Sequence, residues 1–364
     1  MCGDQQSNFS YKAVAANVRF ACGASAHLPE FIREAGGDKA FVIATGAAFV
    51  RHASVIEPVS DSSLTQFDEV QAHCPLPVVD ASIDAYEESG ADTIVAIGGG
   101  STLGLGKILK AEHGAKFIAV PTTYTGSEMT PIYGRKIEGQ KRTKVDAAAL
   151  PDMVVYDPEL TLGLPAHQTA STGMNSLAHA VEALYPEHPN PIAWNLAGEA
   201  IGLHARALPL CVADGRNIDA RIDALRAGFL GGVLVSMVGV ALHHALGHVL
   251  GGLFDLDHGD YNSAVLPHVV AFNATAVPRV EEVISDRFEV ADPGEAIFDF
   301  AKKIHAPTSL KELGMPETGI AEVTQAIVAK NPRNPRPITH PSMKRLLSAA
   351  YEGLRPSVEY YRDV

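Results

Sequence analysis

Four short apolar runs, separated by helical stretches, constrain the fold of the first 160 residues more than any other feature. Residues 40–45, 92–97, 116–120 and 152–157 read AFVIAT, DTIVAI, KFIAV and DMVVYD. Continuously apolar strands are typical of parallel sheets that are covered on both faces. Residues 76–79 form a weaker strand candidate, and residues 83–90 predict a helix that ends at glycine. This alternation predicts βαβ units in a Rossmann-like, doubly wound parallel sheet, the α/β class.

The pattern changes near residue 160, after which helical periodicity dominates. It predicts helices over 166–185, 192–212, 218–253, 293–304, 320–329 and 344–353, the last ending at glycine. The proline-rich segment 331–341 predicts a loop. We therefore expect two domains, an α/β domain over residues 1–159 and an all-α domain over residues 160–364.

The composition excludes several classes of partner. The 364-residue chain has a net charge of −13 and no basic run with interleaved aromatic residues, so a nucleic-acid partner is not expected. Its four cysteines form no CxxC pair, and no signal peptide is evident, which fits a reducing cytoplasm. Residues 227–254 carry no Asp, Glu, Lys or Arg, but their glycines and histidines indicate buried helix rather than a membrane span.

Histidines are concentrated in one apolar, glycine-rich segment, residues 242–262. His243, His244, His248 and His258 all lie there. Imidazoles are costly to bury unless each has a partner or a task. His244 and His248 are four residues apart and share one face of a helix. A set of hydrogen-bonded core histidines is one interpretation, but four in sixteen residues favour a catalytic or metal site.

A glycine turn follows the predicted strand over 92–97 and precedes a helix. A strand, a glycine turn and a helix N-terminus together form an anion site, because backbone N–H groups and the helix dipole favour a phosphate. A simple tight turn is the alternative, and the spacing is not GxGxxG. The candidate cofactor-binding residues of this turn are Gly98, Gly99, Gly100 and Ser101.

The next predicted strand leads into a hydroxyl-rich loop, residues 121–128, that leaves the same edge of the sheet. Ligands of open α/β sheets bind outside the carboxyl ends of the strands, so a nucleotide with phosphates and ribose fits both loops. The first strand ends at Thr45, also a cofactor candidate, with no carboxylate in 45–47 to repel a 2′-phosphate. We therefore expect weak discrimination between NADH and NADPH. The loop's candidate cofactor residues are Thr122, Thr123, Thr125 and Ser127.

Five motifs in chain order resemble the iron-containing alcohol dehydrogenase family. They are GGGSTLGLGK (98–107), PTTYTGSE (121–128), DPELTLGLP (157–165), TGMNSLAHAVEALY (172–185) and HALGHVLGGLFDLDHGDYN (244–262). The resemblance covers nearly the whole chain. It implies the dehydroquinate synthase-like architecture of that family, with a nucleotide-binding α/β domain followed by an α-helical catalytic domain.

Two departures from the family motifs bear on the chemistry. Metal-binding members use one Asp and three His, and the matching positions here are Asn175, His179, His244 and His258. Because an amide cannot offset the charge of a divalent cation, this set is expected to be vestigial, with no metal bound. The second departure is Gly104, where the family has an Asp.

Together with NPRNPRP at residues 331–337, these departures resemble one branch of the family. Members of that branch reduce the carbon–carbon double bond of maleylacetate to 3-oxoadipate during the breakdown of resorcinol-type and chlorinated aromatic compounds. The resemblance implies NADH or NADPH as cofactor, a small dicarboxylate substrate and a homodimer.

The roles of the candidate catalytic residues follow from this reaction. Hydride addition to the enone generates an enolate, for which we expect His244 and His258 to be hydrogen-bond donors. Asn175 and His179 would orient them or the substrate. His248 or His243 would supply the proton. The candidates for binding the substrate carboxylates are Lys144, Arg336 and Arg333, and Lys144 is alternatively expected at the cofactor ribose.

Two other functions stay open at the sequence level. One is a metal-dependent alcohol or polyol dehydrogenase of the same family, in which Asn175 still binds the metal. The other, more remote, is a non-catalytic nucleotide-binding protein whose metal site has decayed. The three retained histidines and both predicted phosphate loops argue against that decay.

Overall fold

The computed structural model describes residues 16–59, 65–137, 140–188, 190–254 and 256–364. These residues form two compact units, which span residues 16–164 and Pro165–Val364. The division lies five residues beyond residue 159, where the sequence pattern placed the end of the α/β domain.

The first unit contains a six-stranded parallel sheet and a separate two-stranded antiparallel ribbon. The sheet strands run in the order β1-β8-β5-β4-β2-β3, and β6 pairs with β7 in the ribbon. The strands are β1 Asn17–Phe20, β2 Ala40–Ile43, β3 Gln66–Phe67, β4 Thr93–Gly98, β5 Lys116–Pro121, β6 Ile132–Ile137, β7 Gln140–Val145 and β8 Met153–Tyr156. The helices of this unit are α1 Leu28–Glu34, α2 Gly46–Arg51, α3 Ala53–Ile56, α4 Leu76–Ser89 and α5 Gly100–His113.

The register of the central strands brings their carboxyl ends to one edge of the sheet. Ile43 of β2 pairs with Ala96 of β4, and Gly98 at the end of β4 pairs with Pro121 of β5. The central strands are fully buried, as their apolar runs predicted. The predicted α/β class and the doubly wound parallel sheet are therefore confirmed.

The predicted strand over residues 76–79 is wrong. These residues form the first turn of α4, where Pro77 is tolerated because the first amides of a helix need no partner. The strand that pairs with the outer side of β2 is β3, which has only two residues. A run that short carries no periodicity that a sequence pattern can detect.

The second unit is entirely helical among its described residues, as predicted. The long predicted helix over 218–253 is broken, because Gly239 takes a left-handed φ of 71° and the two parts differ in direction by 100°. The helices are α6 Ala166–Glu182, α7 Pro191–Ala213, α8 Ile218–Val238, α9 Leu242–Leu253, α10 His258–Ala274, α11 Pro278–Phe288, α12 Pro293–Lys303, α13 Gly319–Lys330 and α14 His340–Glu352.

Each unit has its own apolar core. In the first, β2, β4, β5 and β8 pack against α1 and α3, and in the second, α9 and α10 pack against α13 and α14. Among the described residues, α7 is the one helix that is long and apolar enough to cross a membrane, and half of its most apolar window is buried inside the protein. Burial of that kind is equally typical of the core helix of a globular protein.

His204 on α7 predicts a pH dependence of stability. Its side chain is fully buried, neither ring nitrogen has a hydrogen-bond partner among the described residues, and burial lowers its pKa from 6.5 to about 3. Below pH 6.5 the unfolded chain therefore binds a proton that the folded chain does not, so stability falls as the pH falls. Urea unfolding measures the free energy of unfolding at pH 7 and at pH 5. We expect the decrease between these two pH values to be about 2 kcal/mol smaller for His204→Leu than for the wild type.

The matched control is His340→Leu, because the side chain of His340 is exposed at the start of α14. This variant should keep the pH dependence of the wild type. If His204→Leu and the wild type lose equal stability between pH 7 and pH 5, the buried imidazole of His204 is not the source of the pH dependence.

Candidate active site

The predicted phosphate site of the first unit lies at the glycine turn between β4 and α5. There is no room for a side chain at Gly98, since an added Cβ would lie 2.6 Å from Oγ1 of Thr102. A Cβ at Gly99 would lie 3.1 Å from the Thr123 side chain, whereas the space above Gly100 is open. No side chain caps the N-terminus of α5, so its first N–H groups remain available to an anion. Ser101 lies in this first turn, as predicted.

The hydroxyl-rich loop lies directly beside this turn. The Thr122 N–H donates to the Gly98 carbonyl over 3.0 Å, which joins the two segments. The side-chain oxygens of Thr123, Thr125 and Ser127 are buried and have no hydrogen-bond partner within the described chain. Buried polar groups are normally paired, so three unpaired hydroxyls in one loop indicate a polar ligand. Both predicted cofactor loops are therefore brought together.

A buried lysine that the sequence analysis did not select holds this loop in place. The ammonium group of Lys107 on α5 donates to the carbonyl of Ser127, to Oγ1 of Thr130 over 3.2 Å and to the carbonyl of Ile132 over 2.8 Å. All three hydrogens of the ammonium group are used. Burial lowers the pKa of Lys107 to about 7. Its position at the end of the GGGSTLGLGK motif was the signal for this role.

Two other predicted cofactor residues have local partners. The Thr45 hydroxyl accepts a hydrogen bond from the N–H of Ala48 and caps α2. Lys144 lies on β7 with an exposed side chain and pairs with Asp146 over 2.7 Å. Its contact with a ribose or a substrate carboxylate stays a prediction.

In the second unit, the candidate catalytic residues come from three helices. Asn175 and His179 occupy successive turns of α6, His244 lies near the start of α9, and His258 begins α10. The rings of His179 and His244 are stacked with their centroids 4.5 Å apart. Nδ1 of His179 is buried without a hydrogen-bond partner among the described residues. The helices thus bring together residues that are up to 83 positions apart in the sequence.

Glu182, which the sequence analysis did not identify, fixes the beginning of α9. Its buried carboxylate accepts the N–H of Ala241 over 2.9 Å and the N–H of His243 over 2.8 Å. Nδ1 of His244 lies 2.7 Å from Oε2 of the same carboxylate and donates to it. Glu182 follows His179 by three residues on α6, and this i,i+3 spacing is the signal that pointed to it.

This hydrogen bond determines the tautomer of His244. With the hydrogen on Nδ1, a neutral ring carries a lone pair on Nε2, and that atom has no partner within the described residues. Burial, with a smaller contribution from His248, lowers the pKa of His244 to about 3. The predicted role of His244 as a hydrogen-bond donor to an oxyanion is corrected, because Nε2 of the neutral ring carries no hydrogen and can only accept.

Asn262 on α10 is the second residue that sequence reasoning missed. Its side-chain Nδ2 donates to Oδ1 of Asn175 over 2.9 Å and to Nε2 of His258 over 3.2 Å. His258 consequently carries its hydrogen on Nδ1, which lies 2.5 Å from the Tyr261 hydroxyl. Its Nε2 is occupied, so the predicted donor role of His258 is also corrected.

His243 does not fit the predicted role of proton source. Its side chain is fully buried, its Nε2 donates to the carbonyl of Asn262 over 2.9 Å, and its Nδ1 faces the ring of His244. Burial lowers its pKa to about 4. It is a structural link between α9 and α10. His248, the other predicted proton source, has an exposed side chain on α9.

Arg336 is corrected as a ligand of the substrate carboxylates. Its guanidinium donates to the carbonyls of Phe272, Tyr361 and Val364 and lies over the Phe272 ring. These contacts use the planar donors that a bound carboxylate would need. Arg333 is half-buried and donates to the carbonyl of Val240 over 3.3 Å, so its role toward substrate stays a prediction.

The residues at the four metal-ligand positions do not fit a resident divalent cation. None is a carboxylate, and Oδ1 of Asn175 and Nε2 of His258 both accept hydrogens from Asn262. In the described chain, the one group of three His, Cys, Asp or Glu residues with ligand atoms within 4.8 Å of one another is Glu182, His243 and His244. Its carboxylate oxygens already accept backbone N–H groups, so it is a hydrogen-bonded helix contact.

Glu182 can be tested as the residue that positions His244. We expect Glu182→Gln to lower kcat at least tenfold and the free energy of unfolding by about 3 kcal/mol, because an amide cannot accept at both of its ends. The dissociation constant for a nicotinamide nucleotide should not change, since the two predicted cofactor loops belong to the other unit. Steady-state kinetics and a nucleotide titration measure these effects.

Glu199→Gln is the control, because Glu199 is an exposed carboxylate on α7 that pairs with Arg226. It should leave kcat and stability at wild-type values. If Glu182→Gln loses stability while its kcat is unchanged, then Glu182 has no part in positioning His244.

Comparisons with known proteins match this chain over nearly its whole length. The family described as iron-containing alcohol dehydrogenase matches residues 15–158, and its C-terminal family matches residues 169–351. A maleylacetate reductase from Sphingobium indicum is 41% identical over 348 residues, which are 96% of this chain and 99% of that protein.

Solved structures give the same result. The crystal structure of maleylacetate reductase from Agrobacterium tumefaciens is similar with a TM-score of 0.91 at 37% identity, over 96% of this chain and 99% of that chain. That of sulfoacetaldehyde reductase from Bifidobacterium kashiwanohense in complex with NAD⁺ has a TM-score of 0.84 at 26% identity, over 94% and 98% of the two chains.

Proposed function

This chain belongs to the iron-containing alcohol dehydrogenase family, and from that premise we propose that it reduces the carbon–carbon double bond of maleylacetate to 3-oxoadipate with NADH or NADPH. The chain is an oxidoreductase of that family. Full-length similarity to maleylacetate reductases supports the substrate. The observation that carries the mechanism is the amide of Asn175 at a position where metal-binding relatives have a carboxylate.

The reaction requires an oxyanion site and a proton. Hydride from the nicotinamide forms a C–H bond at the alkene carbon β to the ketone, and the π electrons of the double bond move to the ketone oxygen as an enolate. A proton then adds to the α carbon, so one hydride and one proton are taken up per turnover. An enolate is more stable than the alkoxide formed by ketone reduction, which makes hydrogen-bond donors sufficient to stabilise it.

Asn175 supplies a donor that an aspartate would lack. Its Oδ1 is held by Asn262, and its Nδ2 makes no hydrogen bond to any described residue. Since the Oδ1 contact fixes the plane of the amide, the Nδ2 hydrogens are preorganised for an incoming acceptor. We assign the enolate oxygen to this position.

His244 delivers the proton to the α carbon. Its Nε2 has no hydrogen-bond partner among the described residues, and Glu182 stabilises the ring when Nε2 binds a proton from solvent. The carboxylates of the bound substrate stabilise the same imidazolium, so the proton is carried only when substrate is present. Loss of the proton from Nε2 to carbon restores the neutral tautomer.

The reaction proposed here needs no metal. The donor set at the four positions argues for this, because it lacks an anionic ligand and two of its acceptors are already occupied by Asn262. A metal-dependent alcohol dehydrogenase is the second candidate, favoured by one observation, the open Nε2 of His244.

The partners of the enzyme follow from the same reaction. The substrate is a small dicarboxylate, for which Arg333 and Lys144 are the candidate cations. The enzyme acts as a homodimer in the cytoplasm, with neither nucleic acid nor a membrane as partner. Its acidic sequence and the lack of a basic aromatic-rich run argue against a nucleic-acid partner.

A chelation assay tests the proposal. We expect NADH oxidation by maleylacetate to keep its full rate after dialysis against EDTA and in its presence, because no step uses a metal. Stopped-flow absorbance of NADH measures the rate, and elemental analysis of the dialysed protein is the control. A rate that disappears on chelation and returns with Fe²⁺ or Zn²⁺ would favour the metal-dependent dehydrogenase instead.

A further inference from the structure

Three neighbouring parallel strands end side by side at the nucleotide edge of the sheet. They are β4, which leads into the glycine turn, then β2, and then β3 at the outer edge. Ile43 at the end of β2 pairs with Phe67 at the end of β3, and Asp68 is the first residue after that strand. Adjacent strands lie about 4.8 Å apart, so the backbone at Asp68 is roughly two strand spacings from the glycine turn.

The Asp68 carboxylate reaches back toward the glycine turn, over the end of β2. A Cβ added to Gly46, the first residue of α2, would lie 3.7 Å from Oδ2 of Asp68. Because Gly46 has no side chain, nothing of its own stands between this carboxylate and the space above the strand ends. The side chain of Asp68 is exposed, and no hydrogen bond or ion pair with another described residue occupies it.

A carboxylate at this distance from a phosphate cradle suits the adenosine ribose. Doubly wound sheets that bind NAD commonly place an acidic residue at the end of the strand next to the phosphate turn, where it accepts the ribose hydroxyls. Here the end of β2 has no acidic side chain, and the acid comes from one strand further out. The same negative charge repels the 2′-phosphate of NADPH.

We propose that Asp68 is the residue that makes this enzyme prefer NADH over NADPH, by accepting a hydrogen bond from the 2′-hydroxyl of the adenosine ribose. The proposal deepens the proposed function, on whose use of NAD(P)H it rests. The sequence led us to expect weak discrimination between NADH and NADPH, because residues 45–47 after β2 include no carboxylate. The carboxylate of Asp68 follows the neighbouring strand β3 instead.

The test measures dissociation constants for NADH and NADPH without maleylacetate, from the fluorescence of the reduced nicotinamide. The wild type should bind NADH at least tenfold more tightly than NADPH. Asp68→Asn should reduce this ratio to threefold or less, mainly through tighter NADPH binding, because the repulsion is removed. Asp68→Glu keeps the charge and should keep a preference for NADH.

Glu69→Gln is the matched control, because it removes the same charge from the neighbouring exposed residue. It should leave the cofactor ratio at the wild-type value. The proposal is overturned if the wild type binds both cofactors equally, if Asp68→Asn keeps the wild-type ratio or binds neither cofactor, or if Glu69→Gln changes the ratio as much. Failure of the proposed function would appear separately, as normal cofactor binding without turnover of maleylacetate.

Discussion

The buried carboxylate of Glu182 is the contact on which the arrangement of α6 and α9 in the second unit depends. It accepts two backbone N–H groups at the start of α9 and the Nδ1 hydrogen of His244. One side chain of α6 therefore orients α9 and also determines which nitrogen of His244 remains without a hydrogen. Without this acceptor, two amides and one imidazole nitrogen would be buried unpaired, at a cost of about 1–3 kcal/mol each.

Much of the fold follows from the sequence because the central strands are buried on both faces. A strand such as β4 is continuously apolar, and the glycines after it allow the close approach to Thr102 and Thr123 that the turn requires. Prediction failed where the apolar run was short. Residues 76–79 fit a strand or a helix equally well, and the two residues of β3 left no pattern, although the cofactor specificity proposed above depends on the end of that strand.

The sequence predicted which residues lie together at the site, but not their tautomers or their hydrogen-bond partners. Asn175, His179, His244 and His258 lie in one helical unit, with the rings of His179 and His244 stacked. The hydrogen positions depend on Glu182 and Asn262, which only the packing of α6, α9 and α10 brings into contact with them. A sequence pattern gives no tautomer, so donor and acceptor roles were assigned wrongly. Arg336 was misassigned for a similar reason, because its carbonyl partners lie up to 64 residues away.

We propose that an amide network occupies the position at which metal-binding relatives hold a cation, and the affinity for Zn²⁺ tests this proposal. Isothermal titration with Zn²⁺ compares the wild type with Asn175→Asp, a change that restores the anionic ligand and creates an additional acceptor. We predict no saturable binding to the wild type at micromolar concentrations and one bound Zn²⁺ in the variant. Stoichiometric binding to the wild type, as tight as to the variant, would show that Asn175 and Asn262 do not exclude a metal.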